Sequence, residues 1–203
     1  MSRMGSDTDL RVAIIIGSTR NGRFGPTAAE WFADQARQHG ELNIDVIDLS
    51  EEQLPDVLID EGDPVPERVT ALAPRLDAAD AFVIVTPEYN HSYPAPLKTA
   101  IDWYMDEWQA KPVAFVCYGG MSGGLRSVEH LRQIFAELGA TTVREVVSFQ
   151  NYWEQFGVDG SWPKNPEGPN AAAKGMLDQL IWWARALRDH RAIHPLNPLS
   201  DQS

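Results

Sequence analysis

A glycine-rich stretch near the start of the chain carries residue types that bind a phosphate. Residues 17–25 read GSTRNGRFG, between an apolar segment and an amphipathic one that begins at Pro26. This pattern predicts a turn between a buried strand and a helix, where backbone N–H groups and the positive end of the helix dipole attract an anion. Hydroxyl and guanidinium groups would add donors, from Ser18, Thr19, Arg20 and Arg23. We predict a phosphate cradle, with an ordinary turn bearing surface arginines as the alternative.

Two better-known phosphate motifs do not fit this stretch. Gly17 and Gly22 have the G-x-x-x-x-G spacing of a P-loop, but Arg23 and Phe24 stand where that motif needs Lys and Ser or Thr. The dinucleotide fingerprint G-x-G-x-x-G is missing as well, because no glycine lies two positions after Gly17. An ATPase or GTPase is therefore disfavoured.

A second polar stretch, residues 86–96, reads TPEYNHSYPAP. Its prolines restrict the backbone, and Tyr89 supplies a flat amphipathic face. The backbone amides of residues 88–90 and the Asn90 side chain can meet the donor and acceptor edge of a heterocycle. We predict a site for a planar polar ligand, with a local turn capped by Asn90 as the alternative. For His91 we expect solvation or ordinary hydrogen bonding.

A third stretch, residues 118–124, reads YGGMSGG and contains the pattern G-x-S-x-G around Ser122. That pattern marks the nucleophile elbow of α/β-hydrolases. Ser122 nevertheless falls several residues past the expected strand end at Cys117, and no downstream histidine has an evident triad acid. A serine hydrolase is disfavoured, and we expect the glycines to let the backbone approach a ligand closely.

These three stretches are positioned by alternating apolar and amphipathic segments. The pattern predicts five buried strands, at residues 12–16, 44–48, 81–85, 112–117 and 142–147. It predicts five helices, at residues 26–37, 69–78, 97–104, 125–138 and 171–191, with a loop over residues 49–67. Such alternation is typical of an α/β fold with a parallel sheet covered on both faces. In the order 2-1-3-4-5 the first, third and fourth strands are neighbours, so their three loops would form one site.

Composition excludes several function classes. The 203 residues suit one domain, residues 1–203, in which 148–203 form an aromatic-rich C-terminal extension and the last helix. We expect this extension to cover the domain's own core or to contact another subunit. A net charge of −12, from 17 basic and 29 acidic residues, disfavours nucleic acid as a partner. No apolar run approaches a membrane span, and the lone Cys117 can form no internal disulfide, so we expect a cytoplasmic protein.

Taken together, the three motifs resemble the NADPH-dependent FMN reductase family within the flavodoxin-like fold. The resemblance rests on GSTR at 17–20, PEYN at 87–90 with PLKTAIDW at 96–103, and GGLR at 123–126. It implies a three-layer α/β fold and an enzyme that uses NADPH or NADH to reduce bound FMN. Acceptors such as flavin, quinone, azo compounds or metal oxyanions would then take the electrons. The alternative is an FMN-binding electron-transfer or regulatory module without reductase turnover.

The resemblance also implies cofactor-binding roles for particular residues. The FMN phosphate would be held by Ser18, Arg20, Asn21, Gly22, Arg23 and Phe24. The isoalloxazine would lie along Pro87, Glu88, Tyr89 and Asn90. Its pyrimidine end would be approached by Tyr118, Gly119, Gly120, Ser122 and Gly123. No side chain is expected to be catalytic and no metal site is expected, while the family implies a homodimer or homotetramer.

Overall fold

Five parallel strands form the centre of the protein in a computed structural model that describes residues 9–40, 42–60 and 62–197. The strands are β1 (Leu10–Ile16), β2 (Leu42–Asp48), β3 (Ala81–Pro87), β4 (Pro112–Gly119) and β5 (Thr141–Gln150). Their order across the sheet is β2-β1-β3-β4-β5, and each neighbouring pair runs parallel. The predicted flavodoxin-like order 2-1-3-4-5 is confirmed.

The helices follow the predicted alternation, with one addition. They are α1 (Gly25–His39), α2 (Leu49–Glu52), α3 (Glu67–Asp77), α4 (Ala95–Trp103), α5 (Leu125–Glu137) and α6 (Glu167–Ile193). Short 3-10 turns cover Asp106–Trp108 and Tyr152–Gln155. The stretch 49–67, predicted as a loop, begins with the four-residue α2, because the Asp48 side chain accepts the Ser50 N–H at 3.0 Å and caps the turn.

Both faces of the sheet are covered by helices, which explains why the strands are nearly continuous apolar runs. In β1, Val12 and Ile14 face a core cluster that includes residues of α1 and α6. Ala13 and Ile15 face the opposite cluster, which includes residues of α3, α4 and α5. All four side chains are at most 2% exposed, so this strand is buried on both faces as predicted.

The loops that carry the three motifs leave the same edge of the sheet. Ile16 of β1 is level with Val85 of β3, and Pro87 is level with Tyr118 of β4. The Gly17 N–H donates to the Val85 carbonyl at 2.9 Å and extends this pairing by one residue. We call the loops after β1, β3 and β4 loop 1 (residues 17–24), loop 2 (residues 88–94) and loop 3 (residues 120–124).

The aromatic segment after β5 packs on the protein's own core. The Trp162 ring centroid lies 4.3 Å from that of Phe149 and 5.9 Å from that of Trp31. The Tyr152 ring stacks on Phe24 of loop 1, with centroids 4.3 Å apart. The segment therefore borders the edge of the sheet from which the motif loops emerge. Within the described ranges, no helix has the length and apolar character needed to cross a membrane.

Candidate functional site

Loop 1 offers a row of unused backbone donors. Within the described chain, the N–H groups of residues 18–22 donate to no acceptor, whereas the Arg23 N–H donates to the Arg20 carbonyl at 3.1 Å. Gly22 has a φ of +65° and open space around it. α1 starts directly behind the loop at Gly25, with no capping side chain and no acidic residue in its first turn. Such a row of donors at the positive end of a helix dipole suits an anion.

The two arginines of loop 1 have different surroundings. Arg20 is exposed and forms no ion pair with the described residues, and its guanidinium carbon lies 5.9 Å from the centroid of the Tyr89 ring. The Arg23 guanidinium pairs with the Asp48 carboxylate at the end of β2, and only 17% and 13% of these side chains are exposed. Arg20 is free to bind a phosphate. Asp48 offsets the charge of Arg23, while the buried Arg23 Nε has no hydrogen-bond partner among the described residues, so its role at a phosphate stays a prediction.

Ser18 joins loop 1 to loop 2. Its side chain is fully buried, and its Oγ lies 3.1 Å from the Tyr89 hydroxyl. This hydrogen bond spans 71 residues of sequence and fixes the phenol of Tyr89 beside the phosphate loop. The prediction that Ser18 and Tyr89 belong to one site is supported by their direct contact.

Two predicted site residues lie beneath the loops. Phe24 is 7% exposed and Tyr118 is 3% exposed, and their rings meet edge to face with centroids 5.0 Å apart. The Tyr118 hydroxyl has no hydrogen-bond partner in the described part of the chain, and burial raises the pKa of this phenol. The two side chains therefore pack against each other beneath the loops, and their roles at a cofactor stay predictions.

Loop 2 uses part of its backbone internally. The Glu88 N–H donates to the Tyr118 carbonyl at 3.1 Å, and the Tyr89 N–H donates to the Ser92 carbonyl at 2.8 Å. Two of the three backbone N–H groups of residues 88–90 are therefore used within the protein. Asn90 and His91 adopt left-handed backbone conformations, and their N–H groups donate to no acceptor among the described residues. Asn90 and His91 therefore offer backbone donors at the turn of loop 2.

The Glu88 side chain turns away from the loop surface and holds loop 3. Its carboxylate accepts hydrogen bonds from Ser122 Oγ at 2.6 Å, from the Arg126 N–H at 3.2 Å and from the Arg126 guanidinium at 2.8 Å. Burial favours the neutral acid, but these hydrogen bonds outweigh it and lower the pKa of Glu88. Glu88 was expected beside the isoalloxazine. Its side chain connects loop 2 to Ser122 of loop 3 and to Arg126, a residue of the GGLR motif to which the sequence analysis gave no role.

Loop 3 needs glycine at two positions. Gly123 and Gly124 have φ values of +62° and +91°. A Cβ on Gly123 would lie 2.3 Å from Ser148 Oγ, and one on Gly124 would lie 2.7 Å from the Tyr118 backbone nitrogen. The N–H groups of residues 120–122 donate to no acceptor in the described part of the chain. The tight turn therefore leaves unused donors next to loop 2, as the glycine pattern predicts.

Ser122 is not placed as a hydrolase nucleophile. Its hydroxyl donates to the Glu88 carboxylate, and no histidine takes part in that contact. His130, one of the downstream histidines, instead contacts Ser92 Oγ through Nδ1 at 3.0 Å. A nucleophilic serine needs a base that accepts its proton, and a carboxylate of lowered pKa serves that purpose poorly.

Comparison with known proteins assigns this arrangement of loops to a family. A family model described as NADPH-dependent FMN reductase matches residues 10–154, which contain all three loops. The chain belongs to the NADPH-dependent FMN reductase family. The matched region ends within the 3-10 turn after β5, so Trp162 and α6 lie beyond it.

Individual relatives agree with this assignment. The chain is 36% identical over 176 residues to a quinone reductase of Escherichia coli, a match that covers 84% of this chain and 89% of that protein. It is 36% identical over 122 residues to an NAD(P)H-dependent FMN reductase of Schizosaccharomyces pombe, and spans 60% of that protein's length. The solved structure of FerB, a flavoenzyme NAD(P)H:(acceptor) oxidoreductase from Paracoccus denitrificans, superposes with a TM-score of 0.71 at 25% identity over 87% of this chain and 98% of FerB.

Proposed function

We propose that this chain is an FMN-dependent NAD(P)H oxidoreductase that transfers a hydride from a reduced nicotinamide through bound FMN to an acceptor such as a quinone, a flavin or an azo compound. The observation that carries the proposal is loop 1, where unused N–H groups and the unpaired Arg20 lie at the start of α1. A monoester phosphate dianion matches this set of donors. The relatives named above are enzymes of the same type, which favours turnover over electron carriage alone.

The three loops divide the binding of FMN between them. The phosphate is assigned to the N–H groups of residues 18–22 and to the Arg20 guanidinium. The ring system is assigned to the surface beside Tyr89, whose phenol is held in place by Ser18. Asn90 offers an amide side chain and a free N–H at the same loop. The pyrimidine end is assigned to loop 3, whose residues 120–122 present unused N–H groups.

Bound FMN supplies the redox chemistry, accepting a hydride from the nicotinamide and passing two electrons to the acceptor. The chain's own contribution is to position the reactants and to stabilise charge. The unused backbone N–H groups of loop 3 are the donors that would stabilise negative charge on the reduced ring. Glu88 acts at a distance by fixing Ser122 and Arg126, so the donors of loop 3 are held in place before a ligand arrives.

Arg20 provides a direct test of the phosphate assignment. Replacing it with alanine removes a charged hydrogen bond, which is worth about 1.5–3 kcal/mol. The Arg20→Ala variant should therefore bind FMN about ten- to 150-fold more weakly while binding riboflavin, which has no phosphate, as the wild type does. The Arg144→Ala variant is the matched control, because Arg144 is an exposed arginine on β5, and 89% of its side chain is accessible. Unchanged FMN affinity in Arg20→Ala would reject the assignment.

The assembly and the location of the protein are also part of the proposal. We assign it to a cytoplasmic homodimer or homotetramer. Exposed apolar side chains of α6 and the residues after it favour a contact between subunits, since Trp182 is 63% exposed, Ile193 is 72% exposed and Leu196 is 57% exposed. Sedimentation velocity at micromolar concentration tests the assembly, and a single monomeric species would contradict it.

A further inference from the structure

Trp153 is a large aromatic residue that borders loop 3 and is not part of the buried core. Trp153 lies in the 3-10 turn after β5 and is 54% exposed. Its ring is directed at loop 3, since a Cβ on Gly120 would lie 3.6 Å from the Trp153 Cη2 atom. The Asn151 N–H donates to the Gly120 carbonyl at 3.1 Å, which ties this turn to the loop. The side chain therefore borders the place assigned to the pyrimidine end of the flavin.

The position of Trp153 is fixed by its neighbours. Its ring meets Tyr152 edge to face, with centroids 5.2 Å apart and planes at 76°. Tyr152 in turn stacks on Phe24, with planes at 27°, and is edge-on to Tyr118 at 5.2 Å. These contacts connect the turn to loop 1 and to β4 as well as to loop 3. The exposed ring is consequently held in place before any ligand binds, which lowers the entropic cost of ordering this side chain on binding.

Two further apolar side chains near Trp153 in sequence or in loop 3 are exposed. Met121, in loop 3, is 83% exposed, and Phe156, three residues after Trp153, is 43% exposed. These side chains carry no charge, and an aromatic ring favours the face or edge of another planar ring. A metal oxyanion would find no cation among these three side chains. The chemistry of this border matches an uncharged planar compound.

We propose that Trp153, together with Met121 of loop 3, forms the wall that positions a quinone-type acceptor over the flavin and so favours planar, uncharged acceptors over small anions. This inference rests on the proposed function. The overall reaction is balanced, since NAD(P)H and one proton from solvent convert the quinone to the hydroquinone and leave NAD(P)⁺. Trp153 takes no proton or electron in this reaction and is a positioning residue.

The test compares variants of the FMN-loaded enzyme in separate half-reactions. Trp153→Ala should raise the KM for a naphthoquinone about five- to tenfold through loss of ring contact, with the rate of flavin reduction by NADH or NADPH unchanged. The KM for ferricyanide, a small anion, should also be unchanged. Trp153→Phe should restore most of the affinity for the quinone. Met105→Ala is the control, because Met105 is 40% exposed and lies after α4, on the side of the sheet away from loop 3. A quinone KM within twofold of wild type, or an equal rise for ferricyanide, would overturn the inference.

Calorimetric binding of the naphthoquinone to the oxidised protein separates this inference from the proposed function. If nicotinamide does not reduce the protein but quinone binding weakens in Trp153→Ala, the wall is retained and the proposed function fails. If reduction occurs but quinone binding is absent or independent of Trp153, the wall is rejected and the proposed function stands. A Trp153-dependent shift in fluorescence with protein concentration would show that a second copy of the chain covers this residue, which also rejects the wall.

Discussion

Replacement of Glu88 by glutamine tests how the loops are held together. The Glu88 side chain is 7% exposed, and its carboxylate accepts three hydrogen bonds from Ser122 and Arg126. Glutamine keeps the shape and one acceptor for Ser122, but its amide nitrogen cannot accept from Arg126. Loss of a charged hydrogen bond costs about 1.5–3 kcal/mol, and the half-exposed ion pair adds less than about 1 kcal/mol. We expect the free energy of unfolding to fall by about 2 kcal/mol.

Urea unfolding at several pH values measures this effect. Because the pKa of Glu88 is lowered in the folded protein, its contribution is fully present above the ordinary value of 4.5 and is lost as the pH falls below it. The difference between wild type and Glu88→Gln should therefore shrink in acid. Glu129→Gln is the control, because Glu129 is 71% exposed and contacts Arg132 only at 3.3 Å. A loss below about 0.5 kcal/mol at neutral pH, or a difference that does not change with pH, would refute the reasoning.

Two further predictions concern the backbone and a buried charge. Gly124→Ala places a Cβ against the Tyr118 backbone nitrogen at a φ of +91°, and should reduce the free energy of unfolding by more than about 2 kcal/mol. Gly22→Ala, at a φ of +65° in open space, should cost only about 1 kcal/mol, and equal losses in the two variants would contradict the steric account. Burial lowers the pKa of Lys111 to about 8. As the pH rises from 7.5 to 9.5 the folded ammonium loses its proton, so the free energy of unfolding of the wild type should rise by about 2 kcal/mol relative to that of Lys111→Met. Parallel pH profiles for the two proteins would show that the Lys111 charge is not destabilised by burial.

The sheet and the meeting of the three loops could be predicted because they depend on patterns local in sequence. Strands such as β1 are continuous apolar runs, and the glycine-rich stretches that follow them mark the carboxyl edge of a parallel sheet. The alternation of elements then restricts the strand order. The short α2 was missed, although Asp48 two residues before Ser50 is a capping signal that could have revealed it.

The side-chain partners could not be predicted because they depend on distant residues meeting in space. Arg23 of loop 1 pairs with Asp48, which is 25 residues away at the end of β2. Glu88 reaches Ser122 and Arg126, 34 and 38 residues away. In both cases a charged group expected near a ligand forms an ion pair within the protein itself. Composition and spacing indicate which residues gather at the sheet edge, but not which of them remain free.

The measurement that tests the central claim most directly is an anaerobic titration of the purified protein with FMN, followed by one equivalent of NADPH or NADH. We predict that FMN binds and that the visible absorbance of the bound flavin bleaches on addition of a reduced nicotinamide, then returns when a quinone is added. Binding without bleaching by either nicotinamide would contradict the assignment as a reductase. Failure of FMN to bind at all would contradict the cofactor site built from loops 1, 2 and 3.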